Sequence, residues 1–257
     1  MTRGHTAVMA NKRPKIKEPT PWERLEFFPT PPWATRAFFY HAFSAPVGAT
    51  AWDPCAGLGH MSTVLKEFFP LVRASDVYNY PTDDGRDGEM FGIERSDFLD
   101  RAAVARAPMV NWIITNPPFG EAPKMLDIAL SKARDGVAFL QRIQWLEGEE
   151  RFHEIFAERA PTFIAPFVER VPMCEGGWDP ALSSATMYAW FVWRGFGGDW
   201  EFSPPDRIPL CLIPPGCKDR HAKPSDLALG LRCVPGWIAP SILKKASREQ
   251  TRMEFDR

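Results

Sequence analysis

Four residues near the middle of the chain, Asn116-Pro117-Pro118-Phe119, end the apolar run Trp112-Ile113-Ile114. An asparagine followed by two prolines sets a side-chain amide oxygen beside a backbone carbonyl, while the prolines fix φ and remove two N–H donors. The resulting rim accepts hydrogen bonds rather than donating them. It suits a group with two N–H bonds to give, a planar amino or amide nitrogen. Holding both hydrogens draws density to that nitrogen and frees its lone pair for attack, and Phe119 stacks on the planar group behind it. The carboxyl end of a central strand is also where open α/β sheets place ligands. As a bare motif, the same four residues read equally well as a rigid strand-ending loop.

A second chemical turn lies upstream. In ATAWDPCAGLGHMSTVL a strand runs into Asp53-Pro54-Cys55-Ala56-Gly57-Leu58-Gly59 and then a helix. Glycines in a strand-to-helix turn let backbone approach a ligand closely, and the helix start favours a negative group. The third glycine of a dinucleotide fingerprint and the GK[ST] of a P-loop are both absent, so a cofactor turn and a plain tight turn stay open. Asp76 ends the next strand, placed to take both hydroxyls of a ribose. Asp97-Phe98 precedes the strand after that and suits an adenine, by its amino group and its face, or else a helix cap with a core phenylalanine.

The elements that position these residues alternate in type. Strands are expected over Thr50–Asp53, Leu71–Asp76, Val110–Thr115, Gly136–Gln141, Thr162–Val168 and Met187–Trp193, with helices over Trp33–Phe43, His60–Phe69, Pro123–Arg134 and Glu149–Arg159. Alternation of this kind gives a parallel sheet with helices on both faces. The last two strands have no helix between them and form an antiparallel terminal pair. The chain divides into three regions: a basic arm over 1–24, an α/β domain over 25–196 and a Pro-rich extension over 197–257 with little periodicity.

The 257 residues are 45% hydrophobic, enough for one sizeable core. No apolar run reaches transmembrane length and MTRGHTAVMANKRPKIK lacks a signal-peptide core, so a cytoplasmic protein with no membrane partner is expected. Five scattered cysteines without a CxxC pair suggest reduced thiols and no metal. The net charge of −1 hides +4 over residues 1–24 and +4 over 216–257, which leaves −9 between them. Basic ends can grip phosphates, but the body is not the basic face of a general nucleic-acid binder. Among the remaining side chains, His60 reads as a cap or surface residue, Cys55 as packing, and the aromatic run 186–196 as core strand. Trp178-Asp179, in a Gly-rich loop, is open between a structural role and a stacking platform. Arg142 and Gln144 either line a substrate mouth or pair with surface acids.

Taken together, the motifs resemble the class I S-adenosylmethionine-dependent methyltransferases that modify amino nitrogens. Asp53–Gly59 is similar to that family's first motif, Asp76 to the acid after its second strand, Asp97-Phe98 to its adenine contact, and Asn116-Pro117-Pro118-Phe119 to its catalytic tetrapeptide. FFPTPPWATRAF, residues 27–38, resembles the segment that precedes the first strand in DNA adenine methyltransferases, where the threonine, here Thr30, lies near the methionine end of the cofactor. VAFLQRIQWLEG and SSATMYAWFVWRGF further resemble phage and prophage enzymes. The resemblance spans about residues 25–194. It implies a Rossmann-like methyltransferase fold with a mostly parallel seven-stranded sheet, of which six strands show in the apolar pattern. It implies S-adenosylmethionine as cofactor, bound by Thr30, Asp53, Pro54, Ala56, Gly57, Gly59, Asp76, Asp97 and Phe98, and methylation of adenine N6 of a flipped base in DNA; a monomer is expected. An RNA base, a protein glutamine amide, or a non-catalytic binding module with the same fold are the alternatives.

Overall fold

In the computed structural model, residues 18–182 and 186–245 are described; most of the basic arm and the last twelve residues lie outside them. Short helix α1 (Pro21–Arg24) is followed by α2 (Pro32–His41), β1 (Thr50–Asp53), α3 (His60–Leu65), β2 (Leu71–Asp76), β3 (Glu94–Arg95), α4 (Arg101–Arg106), β4 (Val110–Thr115) and α5 (Ala122–Lys132). Then come β5 (Ala133–Arg142), a helical stretch over 149–159 with a π turn at Phe152–Phe156, β6 (Phe163–Pro166), β7 (Tyr188–Phe196) and β8 (Asp199–Glu201).

The strands form one sheet in the order β3-β2-β1-β4-β5-β7-β6, with β8 paired to β7. Pairing is parallel from β3 through β5 and antiparallel for β5–β7, β6–β7 and β7–β8. This is the mostly parallel sheet with an antiparallel end that the sequence implies. The seventh strand of the main path is β3, two exposed residues that carry no hydrophobic signal, and β8 adds an eighth at the hairpin tip.

Both faces of the sheet are covered, so its central strands read as continuous apolar runs rather than alternating ones. Successive residues of a strand still point to opposite sides. Trp112 and Ile114 of β4 pack with Trp33, Phe38, Met61 and Leu65 of α2 and α3, while Ile113 packs with Met125, Leu126 and Ala129 of α5. The aromatic run of β7 is core, as expected: Tyr188 through Trp193 are all buried. Truncating Trp190 or Trp193 to alanine removes about 3–5 kcal/mol of stability.

Several boundaries differ from the sequence reading: α2 ends at His41 rather than Phe43, α3 at Leu65 rather than Phe69, β6 narrows to Phe163–Pro166, and β7 runs on to Phe196. Helix α5 stops at Lys132 rather than Arg134, and β5 begins at once at Ala133. Gly136 is why this strand docks so closely: its register partner is Trp112, and a Cβ on Gly136 would lie 2.1 Å from that indole. Helix α4, capped by the Asp100 carboxylate on the Ala102 and Ala103 amides, was not foreseen.

The Pro-rich segment after β8 has few regular hydrogen bonds, yet tertiary contacts hold it to the body. Leu210 and Ile213 bridge in parallel to Ile164 and Phe167 along the outer edge of β6. Further on, buried Arg36 of α2 donates to Asp226 at 2.7 Å through two nitrogens and to Glu67 at 2.8–3.0 Å. Removing one partner of such a pair leaves an uncompensated buried charge and costs about 3–5 kcal/mol. Trp237 closes the strap, covering Gly177 so tightly that a Cβ there would lie 2.5 Å from its ring. Among the described residues no helix is long and apolar enough to cross a membrane.

Candidate active site

The carboxyl ends of β1, β2 and β4 open into one cavity of about 230 Å³. Of the residues singled out in the sequence, Thr30, Pro54, Ala56, Asp76, Asp97, Phe98, Asn116 and Pro118 line it. Asp53, Gly57, Gly59, Pro117 and Phe119 are not in its lining; they stand behind it in the same turns. Glu26, Asp76, Asp97 and Glu121 put four carboxylates around the space. Such walls favour a cationic ligand and oppose a polyanion.

The β1–α3 turn sets the floor. Gly57 and Gly59 have φ of +56° and +84°, a left-handed backbone that side chains resist. What approaches Gly57, however, is the protein itself: a Cβ there would lie 2.3 Å from the ring of Phe27, which stacks on Tyr80 at 4.3 Å. The Gly57 amide donates to Asp76 Oδ2 at 2.9 Å and the Tyr78 amide to Oδ1 at 3.1 Å. Two backbone donors thus aim the acid at the tip of β2, and each of its oxygens keeps a lone pair for a ligand. Burial nevertheless pushes Asp76 up to about 6, against the pull of these amide donors.

Asp53 is fully buried. Its Oδ1 accepts from the Thr115 hydroxyl at 2.8 Å, and its Oδ2 has no hydrogen-bond partner among the described residues. Burial, opposed by the Thr115 bond and reinforced by the charge of Asp76, pushes it up to about 7. An orphaned buried carboxylate oxygen carries a desolvation cost of about 1–3 kcal/mol or more, which a positive ligand group at this turn would relieve.

Phe98 is buried at the far wall, edge-on to Trp52 with centroids 5.1 Å apart. Asp97, exposed at the mouth, accepts the Leu99 amide at 2.8 Å. It is not a helix cap; Asp100 has that role.

At the end of β4, the Asn116 Nδ2 donates to the carbonyl of Phe28 at 2.9 Å. This bond fixes the amide's orientation and leaves Oδ1 as an acceptor. The Pro117 carbonyl accepts from Nε2 of Gln141, a fully buried side chain, at 3.1 Å, and retains its second lone pair. Phe119 sits under the Arg142 guanidinium, 4.1 Å from its centroid, and Phe28, 6.0 Å from Phe119, lies 6.0 Å from the same guanidinium. Arg142 is also hydrogen-bonded to the Tyr188 side chain. Arg142 thus stands against Phe119 and Phe28 beside the end of β4, and does not line the cavity.

Other expectations are corrected. His60 is neither a cap nor a surface residue: it is buried, lines the cavity and donates from Nε2 to the Leu229 carbonyl at 2.9 Å. Burial, with the nearby Arg232 charge, lowers it to about 3, so the ring is neutral. Trp178 is buried in the core and Asp179 caps local backbone, accepting from Ala181 and Ser241, so this pair is no stacking platform. Three positioning residues escaped the sequence reading: Gln141, Phe28 and Glu26. Glu26 holds φ of +52°, at a cost of about 1 kcal/mol, and accepts the Gly120 amide at 3.4 Å. Only Gln141, a polar residue in an apolar strand, carried a signal.

No family model matches the chain, and no curated protein matches it. Among solved structures, a Pyrococcus horikoshii protein assigned as an RNA methyltransferase is similar at 18% identity, with a TM-score of 0.48, over 70% of this chain and 91% of that one. The methyltransferase subunit of a type I restriction-modification system from Streptococcus thermophilus is similar at 13% identity, with a TM-score of 0.43, over 63% of this chain and 42% of that one. Magnesium protoporphyrin IX methyltransferase from Synechocystis, with bound S-adenosylmethionine, is similar at 13% identity, with a TM-score of 0.36, over 58% and 71%. At such identities and TM-scores the chemistry has to come from the site's own residues.

Proposed function

We propose that this chain is an S-adenosylmethionine-dependent methyltransferase that transfers the methyl group to an exocyclic amino nitrogen, with adenine N6 in DNA as the acceptor. The observation that carries the reading is the acceptor rim at the end of β4. The amide of Asn116 spends its donor on the Phe28 carbonyl and turns its oxygen outward, while Gln141 holds the neighbouring Pro117 carbonyl from behind.

Charge supports the cofactor: the four carboxylates around the cavity favour a sulfonium and an ammonium group. Asp76 would take the ribose hydroxyls, Asp97 and Phe98 the adenine, and Thr30 with the Pro54–Gly59 turn the methionine end. Asp53, whose Oδ2 has no partner among the described residues, adds negative potential beneath that turn. When bound, the cofactor supplies a methyl already activated by its sulfonium. The protein's own part is positioning: Asn116 Oδ1 and the Pro117 carbonyl hold both hydrogens of the amino group, and Phe119 stacks on its ring, so the nitrogen lone pair points at the cavity. No general base is needed before attack, and the surplus proton leaves to solvent afterwards. A duplex target would have to be flipped out of its stack to reach Asn116.

The test is incubation of the purified chain with methyl-labelled S-adenosylmethionine and, separately, unmodified DNA, RNA or protein lysate, followed by digestion and mass spectrometry. The expected product is N6-methyladenine from DNA. Label in RNA or in glutamine alone would reassign the acceptor, and no transfer to any of them would overturn the enzyme reading.

A further inference from the structure

Away from the cavity, the C-terminal strap crosses the end of α2, and three ligating side chains meet there. His41 ends α2, and Cys217 and His221 lie four residues apart on one short helical turn, Cys217–His221. That spacing puts the latter two on the same side of the turn. We propose that His41, Cys217 and His221 form a binding site for a zinc-type divalent cation, which fastens the strap to the body of the protein.

Geometry is the first support. The ligating atoms of the three residues all lie within 4.8 Å of one another, and the two Nε2 atoms are 2.9 Å apart. Tetrahedral zinc with nitrogen at about 2.0–2.1 Å and sulfur at about 2.3 Å needs ligand separations of roughly 3.3–3.6 Å. The imidazoles therefore part by a few tenths of an ångström and the thiol closes by at most about 1.2 Å, movements within reach of side-chain rotation. The donor set, two imidazoles and a thiolate, is the borderline-soft combination zinc prefers, and hard cations such as Mg²⁺ and Ca²⁺ do not use it.

The second support is how firmly the ligands are held. The His221 ring stacks on Tyr40 at 4.8 Å and 10°, and its carbonyl accepts from Arg36 Nη1 at 2.9 Å. Arg36 is in turn locked by Asp226 and Glu67. Outer partners of this kind orient metal ligands. Cys217 is buried, its thiol donating to the Pro214 carbonyl at 3.0 Å, with Arg220 Nη2 3.7 Å from its sulfur. Of the two facing Nε2 atoms, 2.9 Å apart, at most one can donate to the other, so at least one presents a lone pair. On metal binding the thiol gives its proton to solvent, the thiolate offsets the Arg220 charge, and a water completes the fourth position of a half-exposed site.

The position argues for fastening rather than catalysis. Helix α2 spans ten residues, about 15 Å, from the cavity side near Thr30 to His41. His41 and His221 are separated by 180 positions, so one ion would cross-link the core to the strap that carries Asp226, Leu229 and Trp237.

The experiment uses the full chain without a tag, stripped with chelator and titrated with Co²⁺ and then Zn²⁺. The expected result is one cobalt per chain with tetrahedral d–d bands and a thiolate-to-cobalt charge-transfer band, displaced by zinc. Cys217→Ser should abolish the charge-transfer band and His221→Gln should weaken binding at least tenfold, while Cys233→Ser should change neither. Zinc should also raise the wild-type melting temperature. A wild-type chain that binds no cobalt at micromolar concentration, or a charge-transfer band that survives Cys217→Ser, would overturn the proposal.

Discussion

Replacing Asp53 by asparagine should make the protein more stable and, if the cavity holds the proposed cofactor, a poorer binder of it. The unfolded aspartate titrates near its ordinary 3.8, whereas burial lifts the folded one to about 7. Below about pH 4 both states are protonated. As pH climbs from there to 7, the unfolded chain releases this proton and the folded chain keeps it, so the folded state binds more protons and stability falls with rising pH. Above about 7 the loss is complete and the curve levels. The difference of about three pH units corresponds to about 4 kcal/mol. Asparagine keeps the Oδ1 that accepts from Thr115, cannot ionise, and turns the orphaned Oδ2 into a neutral amide. Asp53→Asn should thus match wild type near pH 4 and exceed it by up to about 4 kcal/mol at pH 8, or roughly 10 °C in melting temperature. Circular dichroism melts of both proteins across pH 4–8 measure the difference directly. Removing Asp53 also relieves Asp76, so part of the gain is shared between them. Calorimetry at pH 8 should show weaker S-adenosylmethionine binding in the variant, a stability gained where function needs charge. Parallel stability curves for the two proteins would refute the reasoning.

The same geometry sets other outcomes. If Asp76 takes the ribose hydroxyls as proposed, Asp76→Ala removes contacts worth about 1.5–3 kcal/mol, and S-adenosylmethionine affinity should fall by about ten- to a hundredfold in calorimetry. Phe119→Ala should raise the Michaelis constant for a base acceptor by about tenfold or more, since stacking contributes about 1–3 kcal/mol per base, with little change in cofactor binding. If DNA is the acceptor, deleting residues 1–17, which carry five Lys/Arg and no acid, should weaken its binding and flatten the salt dependence, by about 0.9 in slope for each phosphate neutralised. An unchanged slope would mean that this segment does not touch phosphates.

The sheet was legible where burial writes itself into the chain. The boundaries of β1, β2 and β4 hold: β1 and β4 because nearly every residue in them is buried, β2 because its last three residues are buried and Asp76 marks its end. Strand β3 was illegible because Glu94 and Arg95 are exposed and owe their conformation to pairing with Ser75 and Asp76. The strap was illegible for a related reason: prolines erase periodicity, and its anchors are single long-range contacts such as Arg36 to Asp226. In the site, the acids and the tetrapeptide stood out by type and place. Phe27 over Gly57, His60 on Leu229, and the meeting of His41 with Cys217 and His221 did not, because each joins segments that only the fold brings together.

The central claim is that the Asn116 rim performs the transfer and does not hold the cofactor. Asn116→Ala deletes the outward amide oxygen and leaves the Phe28 carbonyl without its donor, at a cost of about 1 kcal/mol in stability. Asn116→Asp keeps an acceptor but loses that donor, so partial activity is expected, and Asn116→Leu should have none. The decisive measurement sets methyl-transfer turnover against S-adenosylmethionine affinity for wild type and Asn116→Ala. Affinity should stay within about threefold while turnover falls by about 10² or more, as when an interaction made in the transition state is removed. Wild-type turnover in Asn116→Ala, on whichever acceptor takes the label, would contradict the account and leave NPPF a structural turn.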